Sequence, residues 1–226
     1  MWTQLTAALL SFSKKYGNLL KGIELADSVT IDPHKWMFVP FACGALLVRE
    51  GGQILRDSFD VTPEYLSEER GGEDVRYDFF RYGQLGTRRF NALKFWMALK
   101  FLGASGYASI IERQIELTHY LAARLESLKY FELVGQVETA VCCFRFVPPG
   151  ARELGADDFN NLQQQLQQRI ERSGEAWISS TVLKNRRALR VNINSFLTEQ
   201  RHLDELIDLL RRESDSILAS QSGAHR

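Results

Sequence analysis

The chain has 226 residues, of which 45% are hydrophobic and 25% are charged. This balance is typical of a folded protein with one large domain or two small ones. Lysine plus arginine and aspartate plus glutamate both number 28, so the formal net charge is zero. A nucleic acid or an anionic membrane is therefore disfavoured as the main partner, since both attract a basic excess. No apolar run approaches the roughly 18 residues of a membrane-spanning helix.

Three cysteines, Cys43, Cys142 and Cys143, are spaced like neither a disulfide framework nor a metal site. We predict reduced thiols, a cytoplasmic protein and no bound metal. The first residues, MWTQLTAALLSFSKKYGNLLKG, lack the basic head and the small-residue cleavage site of a secretory signal.

Two short strands are predicted in the first third of the chain, at residues 27–31 and 44–50. The polar stretch at 60–78, DVTPEYLSEERGGEDVRYD, has no helical period and predicts a long exposed loop, a type of segment that is often functional. Residues 88–103, RRFNALKFWMALKFLG, predict a helix that is apolar on nearly every side and therefore buried. Gly103 and Gly106 are predicted to break this helix.

From about residue 105 the pattern predicts a compact α+β domain in the order helix, strand, strand, helix, strand, strand, helix. The strands are predicted in FELV, TAVCCFRFV, AWISSTVL and ALRVNIN, and the glutamines at 163–165, 167 and 168 are predicted to face mostly solvent. The tail from Ser214 is predicted to fray. The helical stripes are formed by Ile111, Ile115, Leu121, Leu125 and Leu128, then by Phe159, Leu162, Leu166 and Ile170, and last by Leu203, Leu206, Ile207 and Leu210.

Lys35 is the sharpest candidate for chemistry, because bulky apolar residues follow it from Trp36 to Val39. A lysine amine is a nucleophile only when neutral, and apolar surroundings lower its pKa from the usual value of about 10.4. The alternative is a lysine whose stem lies on an apolar surface while its head reaches water.

Arg190 is a second candidate. Strand alternation places it on the face opposite Leu189 and Val191, and its guanidinium suits a carboxylate or a phosphate. A surface arginine on a half-exposed strand is the alternative.

The segment ADSVTIDPHKWMFVPFACGALLVRE, residues 26–50, resembles the cofactor-lysine segment of the group II pyridoxal-phosphate amino-acid decarboxylases. TPEYL, GTRRFNALKFWMALKFLG, TAVCCFRF and LRVNINSFLT resemble later blocks of the same family in the same order. The resemblance implies an α/β chain that forms the carboxy-terminal part of a fold type I (aspartate aminotransferase-like) enzyme. Residues 1–87 would then end the large cofactor-binding domain, 88–104 would form a connecting helix, and 105–226 would form a small α+β domain.

The resemblance also implies roles for single residues. Lys35 would carry pyridoxal 5'-phosphate covalently, His34 would lie beside the cofactor, and Asp32 would lie near its phosphate. Tyr65, in TPEYL, would protonate the substrate carbon after carbon dioxide leaves, acting as a general acid once the loop excludes water. A hydrogen-bonded core histidine and an ordinary loop tyrosine are the alternatives for His34 and Tyr65.

Three further residues have weaker assignments. Gly86 and Thr87 would present their backbone to the cofactor phosphate of the neighbouring subunit, although a plain turn explains them nearly as well. Arg190 would contact the substrate carboxylate.

The implied activity is decarboxylation of an L-amino acid to the amine and carbon dioxide, with aromatic substrates favoured over acidic or diamino ones. The implied assembly is a homodimer, or a pairing with a chain that supplies the missing amino-terminal half. That half carries the family's ring-stacking histidine and its ring-nitrogen aspartate, and Met1 to Thr6 contain no aspartate. We therefore expect a truncated or split decarboxylase that is not competent alone. The alternative is an inactive remnant that serves as an interaction module; Tyr65 disfavours an aldehyde-forming relative.

Overall fold

The computed structural model describes residues 2–3, 7–61 and 78–223. The chain divides into two compact units, Met1–Ala108 and Ser109–Arg226. The described strands are β1 Trp2–Thr3, β2 Ser28–Ile31, β3 Ala45–Val48, β4 Phe131–Leu133, β5 Val141–Phe146, β6 Ser179–Leu183 and β7 Arg186–Asn192. The described α-helices are α1 Gly51–Phe59, α2 Asn91–Glu126, α3 Ala156–Ser173 and α4 Gln200–Gly223. None of the helices in these ranges is both long and apolar enough to cross a membrane.

The first unit contains a three-stranded sheet in the order β1-β2-β3. β1 runs parallel to β2, and β3 pairs antiparallel to β2 with Ser28 opposite Val48 and Ile31 opposite Ala45. The two predicted strands are therefore present with slightly shorter bounds. Asp32 follows Ile31, the last residue of β2, so the candidate site lies at the carboxyl end of this strand.

Helix α1 was not predicted from the sequence. It begins with Gly51 and Gly52, which are poor helix formers, and it buries none of its residues. The predicted loop begins after it, and residues 62–77 of that loop lie outside the described residues.

The first part of α2 corrects the prediction of a buried helix. Asn91, Lys94 and Phe95 are partly buried, but an apolar stripe on the other side is open to solvent. This exposed stripe consists of Phe90 just before the helix, Leu93, Trp96, Met97 and Phe101, with exposures from 44% to 89%. A helix that is apolar on every side is buried only if other segments pack against it. Among the described residues, none packs over this stripe.

Glycine breaks α2 at only one of the two predicted positions. Gly103 has φ of +64° and ψ of 176° and interrupts the helical backbone, as predicted. Gly106 lies within the helix and does not break it.

The second unit follows the predicted order of elements. An antiparallel sheet in the order β4-β5-β7-β6 shares one core with the end of α2 and with α3 and α4. Along β5, Cys142, Phe144 and Phe146 are fully buried, whereas Val141, Cys143 and Arg145 on the other face are half-buried. All residues of the predicted helical stripes are buried, and all except Ile111 and Ile115 belong to this core.

Three of the five glutamines predicted to face mostly solvent are exposed, as expected: Gln164, Gln165 and Gln168. Gln163 is fully buried rather than solvated, because its side-chain amide bonds both backbone groups of Phe146. The tail does not fray at Ser214, since α4 continues to Gly223 and buries both Ser214 and Ile217. The buried stripe of α4 therefore continues from Leu210, its predicted end, for two further turns to Ile217.

Candidate active site

A turn after β2 sets the direction of the Lys35 side chain. The Lys35 N–H donates to the Asp32 carbonyl at 2.9 Å, and the Val39 N–H donates to the Pro33 carbonyl at 3.1 Å. Trp36, Met37 and Val39 are buried in the first unit, whereas the Lys35 side chain stays 38% exposed. The apolar neighbours thus anchor the turn instead of surrounding the amine.

The Lys35 amine has a carboxylate partner. Lys35 Nζ donates to Asp32 Oδ2 at 2.7 Å, and the Asp32 side chain is 26% exposed. The spacing of three residues across a tight turn brings the two groups together. The sequence predicted apolar surroundings for the Lys35 amine, whereas in the structure the amine contacts a carboxylate.

A buried tyrosine supports the other side of this turn. Tyr107 is fully buried, and its hydroxyl donates to the Met37 carbonyl at 3.0 Å. Its ring stacks on Phe12, with 5.8 Å between the centroids. Burial raises the pKa of the Tyr107 phenol, so the hydroxyl stays protonated as a donor.

His34 is held by the residues at the far end of the same loop. Its Nδ1 lies 2.5 Å from the Cys43 carbonyl oxygen, and its backbone N–H donates to the same oxygen at 3.3 Å. A carbonyl oxygen can only accept, so this short contact calls for a proton on Nδ1. The Cys43 backbone N–H lies 3.3 Å from the same ring nitrogen, so both backbone groups of Cys43 face the imidazole. The ring also meets Phe41 edge-on, with 4.8 Å between the centroids.

Lys94 contacts this loop from α2, and no sequence motif indicated it. Its Nζ donates to the Pro40 carbonyl at 2.7 Å and to the Ala42 carbonyl at 2.8 Å. The available signal was its charge in a mostly apolar helical run, a property that it shares with Lys100.

Gly86 and Thr87 lie in an exposed bend of the first unit. A Cβ atom at Gly86 would meet no described atom within 4 Å, so no described neighbour requires glycine there. Tyr65 lies outside the described residues.

Arg190 lies on β7 in the second unit, opposite Cys143 of β5. Both residues are half-buried. Burial raises the pKa of the Cys143 thiol, and the charges of Arg190 and Arg145 oppose that rise. Arg145 is occupied by the carbonyls of Leu183, Arg186 and Arg187 at the β6–β7 hairpin.

Comparison with known proteins now defines the class. The family model described as "Pyridoxal-dependent decarboxylase conserved domain" matches residues 6–147. The chain is 31% identical over 198 residues to an aromatic-L-amino-acid decarboxylase from Bacillus atrophaeus, covering 87% of this chain and 41% of that protein. It is 35% identical over 171 residues to an acidic amino acid decarboxylase from Xenopus tropicalis, covering 74% and 34%. A crystal structure of Oryza sativa TDC with PLP and tryptamine matches with a TM-score of 0.86 at 25% identity, covering 95% of this chain and 44% of that one.

These matches confirm a fold type I architecture of the pyridoxal-phosphate enzymes. The chain belongs to the pyridoxal-dependent decarboxylase family. It spans less than half the length of the relatives that it matches.

The described residues fit one requirement of pyridoxal 5'-phosphate, a lysine for covalent attachment. Lys35 offers an accessible amine on a well-anchored turn, with the His34 ring on the preceding residue. A lysine amine can attach an aldehyde covalently once it has given up its extra proton.

Proposed function

We propose that this chain supplies the lysine-bearing part of the active site of an amino-acid carboxy-lyase that uses pyridoxal 5'-phosphate. The observation that carries the proposal is the turn at Lys35, which lies in the matched family region. Trp36 and Met37 beside it are buried, whereas the Lys35 side chain stays 38% exposed. A lysine on a rigid backbone is suited to covalent attachment, because little further conformational entropy is lost when the bond forms.

Each candidate side chain has a distinct task in this proposal. The cofactor, when bound, withdraws electrons from the substrate carbon that loses carbon dioxide. Lys35 binds it covalently, and Asp32 orients the amine through the 2.7 Å contact. His34, with Nδ1 committed to the Cys43 carbonyl, keeps its ring at one orientation beside the cofactor.

Four residues outside this turn complete the proposed site. Gly86 and Thr87 offer backbone groups to a phosphate in the neighbouring subunit, and Arg190 binds the substrate carboxylate through its guanidinium. Tyr65 donates a proton to the substrate carbon after carbon dioxide leaves, which yields an amine instead of an aldehyde.

An aromatic L-amino acid is the proposed substrate. Support comes from the relative named an aromatic-L-amino-acid decarboxylase and from the solved relative crystallised with tryptamine. The acidic amino acid decarboxylase from Xenopus tropicalis makes acidic substrates the second choice.

The proposed assembly is a homodimer, or a pairing with a chain that supplies the remaining part of the fold. The exposed stripe on α2 supports an assembly of this kind, because exposed apolar patches mark interaction surfaces. The three free cysteines support the cytoplasm as the compartment.

The exposed stripe also favours a second candidate function, that of an inactive interaction module. The two candidates differ in catalysis: an enzyme needs turnover once the fold is complete, whereas a module binds its partner without turnover. The purified chain alone is expected to show no decarboxylation, since less than half of the relatives' length is matched.

Selective labelling tests the proposal. We expect that incubation with pyridoxal 5'-phosphate, borohydride reduction and peptide mapping will place the pyridoxyl group on Lys35. Lys35→Arg should abolish that label, and Lys21→Arg, at an exposed lysine, serves as the matched control. A label spread evenly over Lys14, Lys15 and Lys21, with none preferred at Lys35, would contradict the assignment.

A further inference from the structure

Lys94 makes two charge-assisted hydrogen bonds to one short loop. Its ammonium reaches the Pro40 carbonyl at 2.7 Å and the Ala42 carbonyl at 2.8 Å. Bonds from a charged donor are shorter and stronger than neutral ones. Residues 40–42 are exposed, with Phe41 at 84%, so burial does not hold them in place.

This loop leads directly to the residue that fixes His34. Cys43 is buried, and its carbonyl is the partner of both His34 Nδ1 and the His34 backbone N–H. A shift of residues 40–42 that extended to Cys43 would move this carbonyl and with it the hydrogen-bond partner of the imidazole.

The same face of α2 secures Cys43 as well. Asn91 lies one turn before Lys94, and its carbonyl accepts a contact from Cys43 Sγ at 3.8 Å. Positions three apart lie on one side of a helix. This face of α2 therefore makes three contacts with residues 40–43, two of them through the Lys94 amine.

We infer that Lys94 is a positioning residue, whose ammonium clamps residues 40–42 and thereby keeps His34 oriented beside Lys35. The inference rests on the proposed function for its consequence at Lys35. The clamp itself stands on the contacts of the first unit.

Hydrogen exchange of the full chain tests the clamp directly. Lys94→Met keeps the stem and removes the amine. We expect the backbone N–H groups of His34 and Cys43 to exchange about tenfold faster in this variant, because local opening becomes easier. Lys94→Arg keeps a charge and several donors and should restore exchange to within about threefold of the unsubstituted chain.

Lys100→Met is the matched control. Lys100 is exposed in the same part of α2, and its amine lies over the Trp96 ring at 5.8 Å. Peptides from β2, in the first unit, and from β5, in the second, report whether each unit of each variant remains folded. Equal exchange at His34 and Cys43 in Lys94→Met and Lys100→Met, with β2 and β5 protected in both, would overturn the clamp.

Labelling by pyridoxal 5'-phosphate distinguishes failure of the Lys94 positioning role from failure of the proposed function of Lys35. If Lys35 is the preferred site in the unsubstituted chain, Lys94→Met should reduce its share of the label about threefold or more, while Lys100→Met leaves it unchanged. An unchanged share in Lys94→Met would overturn the positioning role even if exchange accelerates. No preference for Lys35 in the unsubstituted chain would instead defeat the proposed function, and hydrogen exchange would still decide the clamp.

Discussion

Lys35 and Asp32 pair across a single tight turn, with side chains 38% and 26% exposed. Ion pairs with this much solvent contact contribute only about 0–1 kcal/mol to stability. The anchoring of the turn comes instead from buried neighbours such as Trp36 and Met37. Loss of the ion pair should therefore leave the turn in place.

Replacing Asp32 by asparagine should consequently cost little stability. We expect Asp32→Asn to lower the free energy of unfolding by less than about 1 kcal/mol, since the lost attraction is screened by solvent. Urea unfolding followed by circular dichroism measures the change. A loss above about 2 kcal/mol would show that the pair is structural.

On the scale of single elements, Gln163 of α3 links that helix to β5. Its amide donates to the Phe146 carbonyl at 2.7 Å and accepts from the Phe146 N–H at 2.9 Å. Helix α3 starts with Asp157 and Asp158 near its positive end and closes at Gly174, with φ of +73°. A side chain on α3 thus supplies hydrogen-bond partners for the last backbone N–H and carbonyl of β5.

Gln163→Leu should be strongly destabilising despite its added apolar surface. It leaves a buried N–H and a buried carbonyl without this partner, and each costs about 1–3 kcal/mol. The exposed neighbour provides the control, because Gln164→Leu should change stability by no more than about 0.5 kcal/mol. Equal effects of the two substitutions in urea unfolding would refute the structural role of Gln163.

Strand β5 makes the second unit sensitive to alkaline pH. Burial raises the pKa of Cys142 from 9.0 to about 12, and Cys143 and Glu126 add to the rise. The folded state therefore holds the thiol proton more tightly than the unfolded state does. The resulting stability is complete below about pH 9 and is lost as the pH rises towards the folded value.

We expect the free energy of unfolding to decline above pH 9, with at most about 1.4 kcal/mol per pH unit from this thiol. Cys142→Ala should lower stability near neutral pH by creating a small cavity, yet flatten the alkaline decline. Urea titrations at several pH values measure both effects. An alkaline slope identical in the two proteins would exclude Cys142 as its source.

For the whole molecule, buried side chains are unevenly distributed along the chain. One large cluster of buried apolar residues lies between Leu121 and Ile217, within the second unit. In the first unit, the α2 stripe and both Leu46 and Leu47 of β3 are about half exposed or more. The second unit therefore has the larger share of its own stabilising contacts.

Limited proteolysis should reveal this difference. We expect cleavage to remove residues before about 88 and to leave a resistant carboxy-terminal fragment, because cleavage needs local opening and the second unit opens least. Mass spectrometry of a time course identifies the fragment. Survival of the first unit after the second has been digested would contradict the expectation.

The sequence by itself determined the order of elements in the second unit and the grouping of Asp32, His34 and Lys35 within four positions. Both are local patterns: apolar periodicity reports one face of a helix or strand, and a short motif needs no partner distant in the chain. The family followed from the same kind of local blocks.

Only the tertiary structure decided the features that depend on distant contacts. Lys94 meets residues 52 and 54 positions away, and Gln163 meets Phe146 across 17 positions. Whether the apolar α2 stripe is covered also depends on what packs against it. Composition measures how much apolar surface a segment has, whereas burial and hydrogen bonding are set by which segments the fold brings together.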